Sequence, residues 1–182
     1  MRGYRFLFIL LFVFASCGDE EQLCREISIT YRVEVAPDLL KFVEPVVVYQ
    51  DFNGNEKQEV LTRTIWGKTI TKKETSATLS PLSYNAVLTF RTKHDAPTVT
   101  DGTTYFFYQA LDADVNTEVY ETESLKTTGK DHKYAESVEK VLGTGKDYTG
   151  AEAEEYLLNL TNIQWHLTII INSDGHIEKY SQ

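Results

Sequence analysis

Oxygen-bearing side chains recur at regular spacing between residues 112 and 123, where they could bind a divalent cation. Oxygens at positions 1, 3, 5, 7 and 12 of a loop are the pattern of a calcium-binding loop. Position 6 is Thr117, although the sharp turn of such a loop requires Gly, and no helix pair is predicted around it. We therefore interpret the segment as an acidic loop and keep calcium binding as the alternative. The candidate ligands are Asp112, Asp114, Asn116, Glu118 and Glu123.

Two short motifs near residue 140 could support nucleophilic or phosphate chemistry. Ser137 and Lys140 have the spacing that places a serine and a lysine one helical turn apart, but the companion motifs of such enzymes are missing. Residues 143–146 contain a Gly-Lys pair, but Asp147 follows it where a phosphate loop has Ser or Thr, and a carboxylate there would repel phosphate. We interpret the first motif as a solvated helix face and the second as a helix end followed by a loop.

The histidines and the large aromatic residues do not form a recognisable catalytic, metal or sugar-binding motif in the sequence. The sequence contains no His-x-x-x-His or Glu-x-x-His pair, so metal or triad chemistry would need the fold to bring distant residues together. Trp66 or Tyr31 could stack on sugar rings, although large aromatic residues in β-proteins belong more often to the core. We predict no catalytic residue and no cofactor. The four histidines are His94, His132, His166 and His176.

The first residues of the chain have the composition of an export signal. Arg2 and Arg5 precede residues 6–15, which are apolar without a break, and small residues at 15 and 16 precede Cys17. Ten helical residues span only about 15 Å, roughly half of a bilayer core, so a permanent membrane-spanning helix is not expected. A basic start, a short apolar region and small residues before a cut are the parts of a secretory signal peptide.

The segment Phe14-Ala15-Ser16-Cys17 resembles the lipobox of bacterial lipoproteins that signal peptidase II processes. The resemblance implies cleavage before Cys17, a diacylglycerol on its thiol and acylation of the new amine. Phe14 differs from the aliphatic residue usual at that position. The acidic run after the cysteine resembles the export signal of Bacteroidota surface lipoproteins, which implies transport to the cell exterior. Its acids are Asp19, Glu20 and Glu21.

Charge and cysteine content limit the classes of partner. The formal net charge is −9 over 182 residues, and loss of Arg2 and Arg5 with a leader of residues 1–16 would make it −11 over the remaining 166. Such a chain repels nucleic acid. The only other cysteine is Cys24, which has no partner if Cys17 is lipidated, so no disulfide framework is expected. We predict a lipidated, acidic tether over residues 17–25 and a single domain over residues 26–182.

Period-two patterns predict that this domain is mainly β. Residues 26–36 alternate cleanly between apolar and polar, and Asn53-Gly54 is a hairpin turn signal. A capping-box spacing at 149–152 and an apolar stripe of Ala153, Tyr156, Leu157 and Leu160 predict one helix, while Tyr134, Val138 and Val141 suggest a shorter one. Residues 112–133 are predicted to be mostly loop, with at most one edge strand. The further predicted strands are 46–50, 59–63, 64–72, 84–92, 103–111, 163–172 and 176–180.

These elements favour an antiparallel two-sheet β-sandwich, immunoglobulin-like or related, with one or two short helices in the C-terminal third. In this layout the chain resembles small Bacteroidota lipoproteins. The expected function is a non-enzymatic binding module with an unknown protein or glycan ligand, attached to the outer membrane through its lipid and exposed at the cell surface, or else facing the periplasm. One alternative is a lipid-anchored hydrolase with dispersed acids and a histidine. Another is a structural subunit that adds a strand at an exposed edge over residues 163–172.

Overall fold

The computed structural model describes residues 22–121 and 132–181, and within them it contains nine strands and two helices. The predicted mainly β class is confirmed, because both sheets are antiparallel and together form a two-sheet sandwich. The elements are β1 (Leu23–Val35), α1 (Leu39–Phe42), β2 (Val43–Gln50), β3 (Glu56–Val60), β4 (Ile65–Ser76), β5 (Leu82–Thr92), β6 (Thr104–Glu121), β7 (His132–Thr149), α2 (Gly150–Leu160), β8 (Trp165–Ile171) and β9 (Ile177–Ser181).

Sheet A has the strand order β4-β1-β6-β7, and sheet B has the order β3-β2-β5-β8-β9. The core lies between them, because apolar residues at alternate positions of each strand face the opposite sheet. In β1 the alternation predicted from the sequence is confirmed, since Ile27, Ile29, Tyr31, Val33 and Val35 are all at most 3% exposed.

The two ends of the sandwich carry different connections. The Leu23 end consists of the start of β1 and the turns at 51–55, 77–81 and 172–176. The α2 end, at the other extremity of the strands, consists of α1, α2 and the loops 61–64 and 93–103. Thirteen residues of β1 separate the two ends by about 40 Å at 3.3 Å per residue.

Several local predictions are confirmed. Gly54 has a φ of 77°, as a tight hairpin turn between β2 and β3 requires. The helix predicted from the stripe of residues 153–160 is α2, with Ala153 and Leu160 fully buried. The strand predicted at 176–180 is β9, and it lies at the edge of sheet B.

The predictions for residues 112–121 and 132–144 are wrong, and the loop predicted between them lies outside the described residues. Residues up to 121 continue β6, and the short helix expected around Tyr134 to Gly143 is part of β7. The 18 residues of β7 pair antiparallel with β6 over almost their whole length, and this pairing overrides the weak local helix pattern. The motifs at 137–140 and 143–146 therefore lie on a strand rather than on a helix or at a helix end.

Two further expectations are corrected. Residues 163–172 do not form an exposed edge, because β8 pairs with β5 on one side and with β9 on the other. Strand β1 begins at Leu23, three residues before the predicted start of the domain at residue 26. Cys24 is therefore a buried residue of the sheet, 1% exposed, rather than part of the predicted tether.

Arg25 enters the interior at the Leu23 end and joins the two sheets. Its side chain is 1% exposed and donates hydrogen bonds to the Glu74 carboxylate on β4. The same guanidinium donates to the Ser80 carbonyl at 2.6 Å and, across the sandwich, to the Asn172 carbonyl at 2.8 Å. A charged group can be buried here because several acceptors surround it.

Candidate functional site

Helix α2 is seated on sheet A by an aromatic cluster at the α2 end. Phe107 on β6 is 1% exposed and stacks against Tyr148 of β7 and Tyr156 of α2, with ring centroids 5.5 and 5.6 Å apart. The rings of Tyr148 and Tyr156 lie 4.4 Å from each other. Phe42 closes the cluster edge-on to Phe107 at 5.9 Å. These contacts fix the position of the helix relative to the sheet.

A hydrogen bond between β6 and α2 fixes the helix in addition to the ring contacts. Gln109, 1% exposed, donates a hydrogen bond from Nε2 to the Tyr156 hydroxyl at 2.5 Å. Burial raises the pKa of Tyr156, so the phenol stays neutral at physiological pH. The helix is therefore held by both a ring stack and a buried hydrogen bond.

An open, mainly apolar groove runs between α2 and the loop 93–103; we call it the α2 groove. Its volume is about 300 Å³. Leu158 forms part of its wall and is 70% exposed, the most exposed large apolar side chain among the described residues. Exposed apolar surface at a groove is typical of a contact site. The groove is lined by Phe42, Val43, Thr92, Ala96, Pro97, Thr98, Val99, Glu154, Leu157 and Leu158.

The helix that forms one wall of the groove is acidic. It carries Glu152, Glu154 and Glu155, all exposed, and its sequence contains no Lys or Arg. Glu154 lines the groove itself. The carboxylate of Glu154 therefore favours a cationic group on whatever binds in the groove.

A second exposed feature lies on the outer face of sheet A, near the same end. Phe106, 48% exposed, and Tyr108 are nearly parallel, with an interplanar angle of 5° and centroids 6.4 Å apart. Both rings lean over Gly145 of β7, where an added Cβ would lie 2.9 Å from Tyr108 Cδ2. The glycine is therefore required for the rings to lie against the strand.

The two residues that the sequence suggested for sugar stacking, Tyr31 and Trp66, pack against other residues of the protein instead. Tyr31 is fully buried in the core. Trp66 packs against Tyr49 at 5.6 Å and donates Nε1–H to Glu59 at 2.8 Å. Glu59 also accepts a hydrogen bond from the Tyr49 hydroxyl at 3.0 Å. These residues form an edge of the core between β3 and β4.

The buried tyrosines predict alkaline sensitivity. Burial raises the pKa of Tyr49 to about 12, with a further rise from Glu59, and burial also raises the pKa of Tyr84 to about 12. Tyrosines of the unfolded chain ionise near pH 10. Their contribution to stability is therefore complete below pH 10 and is lost as the pH rises through about 12. Urea unfolding at pH 8 and pH 11 checks this: we expect a lower free energy of unfolding at pH 11 and a smaller decrease in Tyr49→Phe. An equal decrease in the variant would contradict the assignment.

The calcium candidates are not arranged as a loop. Asp112, Asp114, Asn116 and Glu118 lie at alternate positions of β6 and so share the outer face of sheet A. Asp112 accepts a hydrogen bond from Arg32 of β1 at 3.4 Å. Glu123 lies outside the described residues. Among the residues whose side chains the structure describes, no group of three or more His, Cys, Asp or Glu could hold a metal ion.

A surface pocket of about 380 Å³ on this outer face is lined by two acidic residues, Glu118 from the calcium candidates and Glu26. Glu26 of β1 and Glu118 of β6 are direct cross-strand partners. Lys73 of β4 donates to Glu26 at 2.8 Å and to the Tyr120 hydroxyl at 2.9 Å, and Tyr120 also donates to Glu26. The Glu26 carboxylate is therefore engaged in an ion pair with Lys73, which suits a structural or binding role better than that of a general acid.

The histidines are dispersed, as the sequence suggested. His94, His166 and His176 are exposed on three different parts of the surface, namely the loop 93–103, the outer face of sheet B and the turn before β9. Nothing is described of the His132 side chain. His166 contacts only its near neighbour Gln164, at 3.2 Å, in the contacts described for it. The described fold does not bring these three histidines together.

The residues of the predicted anchor are not part of the described fold. Cys17 and the acids Asp19, Glu20 and Glu21 precede the first described residue, Gln22. Among residues 22–121 and 132–181, no helix is both long and apolar enough to cross a bilayer.

No protein-family model and no curated protein matches this chain in sequence. The interpretation of its surfaces therefore depends on their own geometry and chemistry.

Sequence reasoning missed the α2 groove, although one signal was present. The predicted apolar stripe of α2 contains Leu157 and Leu160 but not Leu158, which falls on the polar side of the helix. A leucine outside the buried stripe is the kind of residue that marks a contact surface. The opposite wall, the loop 93–103, has no periodic pattern that could have placed it there.

Proposed function

We propose that this protein is a lipid-anchored lipoprotein of the bacterial outer membrane, exposed at the cell surface, that acts as a non-enzymatic binding module for a protein or glycan ligand. The observation that carries the proposal is the lipobox-like segment ending at Cys17, six positions before the first strand begins at Leu23. Two or three acyl chains on one cysteine provide stable membrane attachment, because each buried methylene contributes about 0.8 kcal/mol.

The fold supports a defined orientation for such an anchored protein. Six backbone steps between Cys17 and Leu23 span at most about 20 Å, so the Leu23 end would lie next to the bilayer. The α2 end would then lie about 40 Å further out. The α2 groove and the Phe106–Tyr108 pair would both lie near the end that is distant from the membrane, where a ligand can reach them.

Metabolic labelling with radioactive palmitate tests the anchor. We expect the wild-type protein to incorporate label and Cys17→Ala to incorporate none, because the thiol is the acylation site. Cys24→Ala is the matched control and should be labelled like the wild type, since Cys24 is buried in β1. Equal labelling of wild type and Cys17→Ala would refute the anchor.

Protease treatment of intact cells tests surface exposure. We expect the wild type to be degraded and a triple replacement of Asp19, Glu20 and Glu21 by Ala to be protected, because the acids would direct export. If both proteins are protected, the domain faces the periplasm. If both are degraded, these acids are not the export signal.

A hydrolase remains the second candidate, favoured by the pocket that contains Glu26 and Glu118. The ion pair of Glu26 with Lys73 makes a binding or structural role the better-supported interpretation of this pocket.

A further inference from the structure

We propose that the α2 groove binds a short segment of another protein that combines apolar side chains with lysine or arginine. This inference deepens the proposed function by naming the ligand class. It depends on that function for the location of the partner and for the removal of residues 1–16. The binding surface itself is defined by the described residues.

The lining of the groove selects for apolar side chains. Ala96, Pro97 and Val99 on one wall face Leu157 and Leu158 on the other. Aliphatic surface of this kind is stabilised by burial, with about 1.5–3 kcal/mol for a side chain such as Leu. A glycan is a poorer fit, because sugar rings are recognised by exposed aromatic faces and the only ring here, Phe42, is 3% exposed.

The charged residue in the groove selects for a basic segment. Glu154 is the one charged side chain among the described lining residues. Glu152 and Glu155 lie on the same helix but line a separate pocket together with Lys146. Lys93, at the start of the loop 93–103, donates its ammonium to the Leu40 carbonyl at 2.7 Å and so is directed toward α1. Complementary charge around an apolar centre gives specificity and a faster association rate.

The groove is occupied by another molecule, because the remaining segments of this chain are too short to reach it. Residues 122–131 connect β6 and β7 at the Leu23 end, and ten residues tied at both ends reach at most about 20 Å from it. The tether after Cys17 starts at the same end and has a similar reach. The groove lies about 40 Å away, beyond both.

A labelled-peptide titration tests the proposal. The full-length protein is placed in nanodiscs of zwitterionic lipid, empty nanodiscs are subtracted, and binding of the fluorescent peptide KLLKLLK is measured by anisotropy. The peptides ELLELLE and KSSKSSK separate the charge requirement from the apolar one. If the protein proves to have no lipid, the same titration is done without nanodiscs, so failure of the anchor does not affect the result.

We expect KLLKLLK to bind at least about tenfold more tightly than either control peptide. Leu158→Ser should weaken it about tenfold, the factor that corresponds to 1.4 kcal/mol. Val60→Ser is the matched control, because Val60 is 47% exposed on β3, outside the groove, and its loss should leave the affinity unchanged. Glu154→Lys should weaken KLLKLLK and strengthen ELLELLE.

Three results would overturn the proposal. One is equal affinity in Leu158→Ser and Val60→Ser. Another is equal binding of KLLKLLK and ELLELLE. The third is binding of KLLKLLK to empty nanodiscs as strong as to loaded ones, which would place the peptide on lipid.

Discussion

Replacing Arg25 with alanine is expected to lower the free energy of unfolding by about 3 kcal/mol, the low end of what removal of one partner costs in a buried ion pair. The low end applies because the remaining partner, Glu74, is 24% exposed and can be partly rehydrated. The carbonyls of Ser80 and Asn172 would lose their donor as well. Urea unfolding followed by circular dichroism measures the change.

Arg91→Ala is the matched control for this prediction. Arg91 lies at the end of β5 and is exposed, so its replacement should change the free energy of unfolding by less than about 0.5 kcal/mol. Equal effects of the two substitutions would mean that Arg25 does not connect the sheets.

Phe107→Ala is expected to lower the free energy of unfolding by about 3–5 kcal/mol, as for other large aromatic residues removed from a core. The ring is 1% exposed and contacts Phe42, Tyr148 and Tyr156, so its loss removes the support of α2. We also expect that Phe107→Ala accelerates amide hydrogen exchange, relative to the wild type, more in α2 than in β1. Strand β1 is less affected because it pairs with a strand on each side.

The neighbouring residue provides a control of the same chemistry. Phe106 lies on the opposite face of β6 and is 48% exposed, so Phe106→Ala should cost less than about 1.5 kcal/mol. If Phe106→Ala were the more harmful substitution, the inward and outward faces of β6 would be assigned the wrong way round.

The features that could be predicted from the sequence are those that a single segment encodes. The alternation in β1 and the stripe of α2 both report which face is buried, and both are confirmed. The long β6–β7 pair could not be predicted, because β7 has mixed polar residues and two glycines, and only pairing with β6 makes it a strand. Long-range pairing overrides such local signals.

The candidate sites follow the same division. A buried Arg25 was unexpected because its acceptors come from β4, from the turn after it and from the end of β8, which no short window contains. The α2 groove needs a helix wall and a loop wall that are more than 50 residues apart in sequence. The lipobox-like segment lies within four consecutive residues, so the sequence alone could indicate it.

The central position of β1 in sheet A has a consequence for how the chain acquires its structure. Its two neighbours, β4 and β6, begin 42 and 81 residues after Leu23, so the first strand to be made must wait for both of its partners. Topologies dominated by such distant pairings fold slowly, on a scale of milliseconds to seconds. A newly made chain therefore cannot complete sheet A until β6 has been made, which is compatible with the proposed export of an unfolded chain.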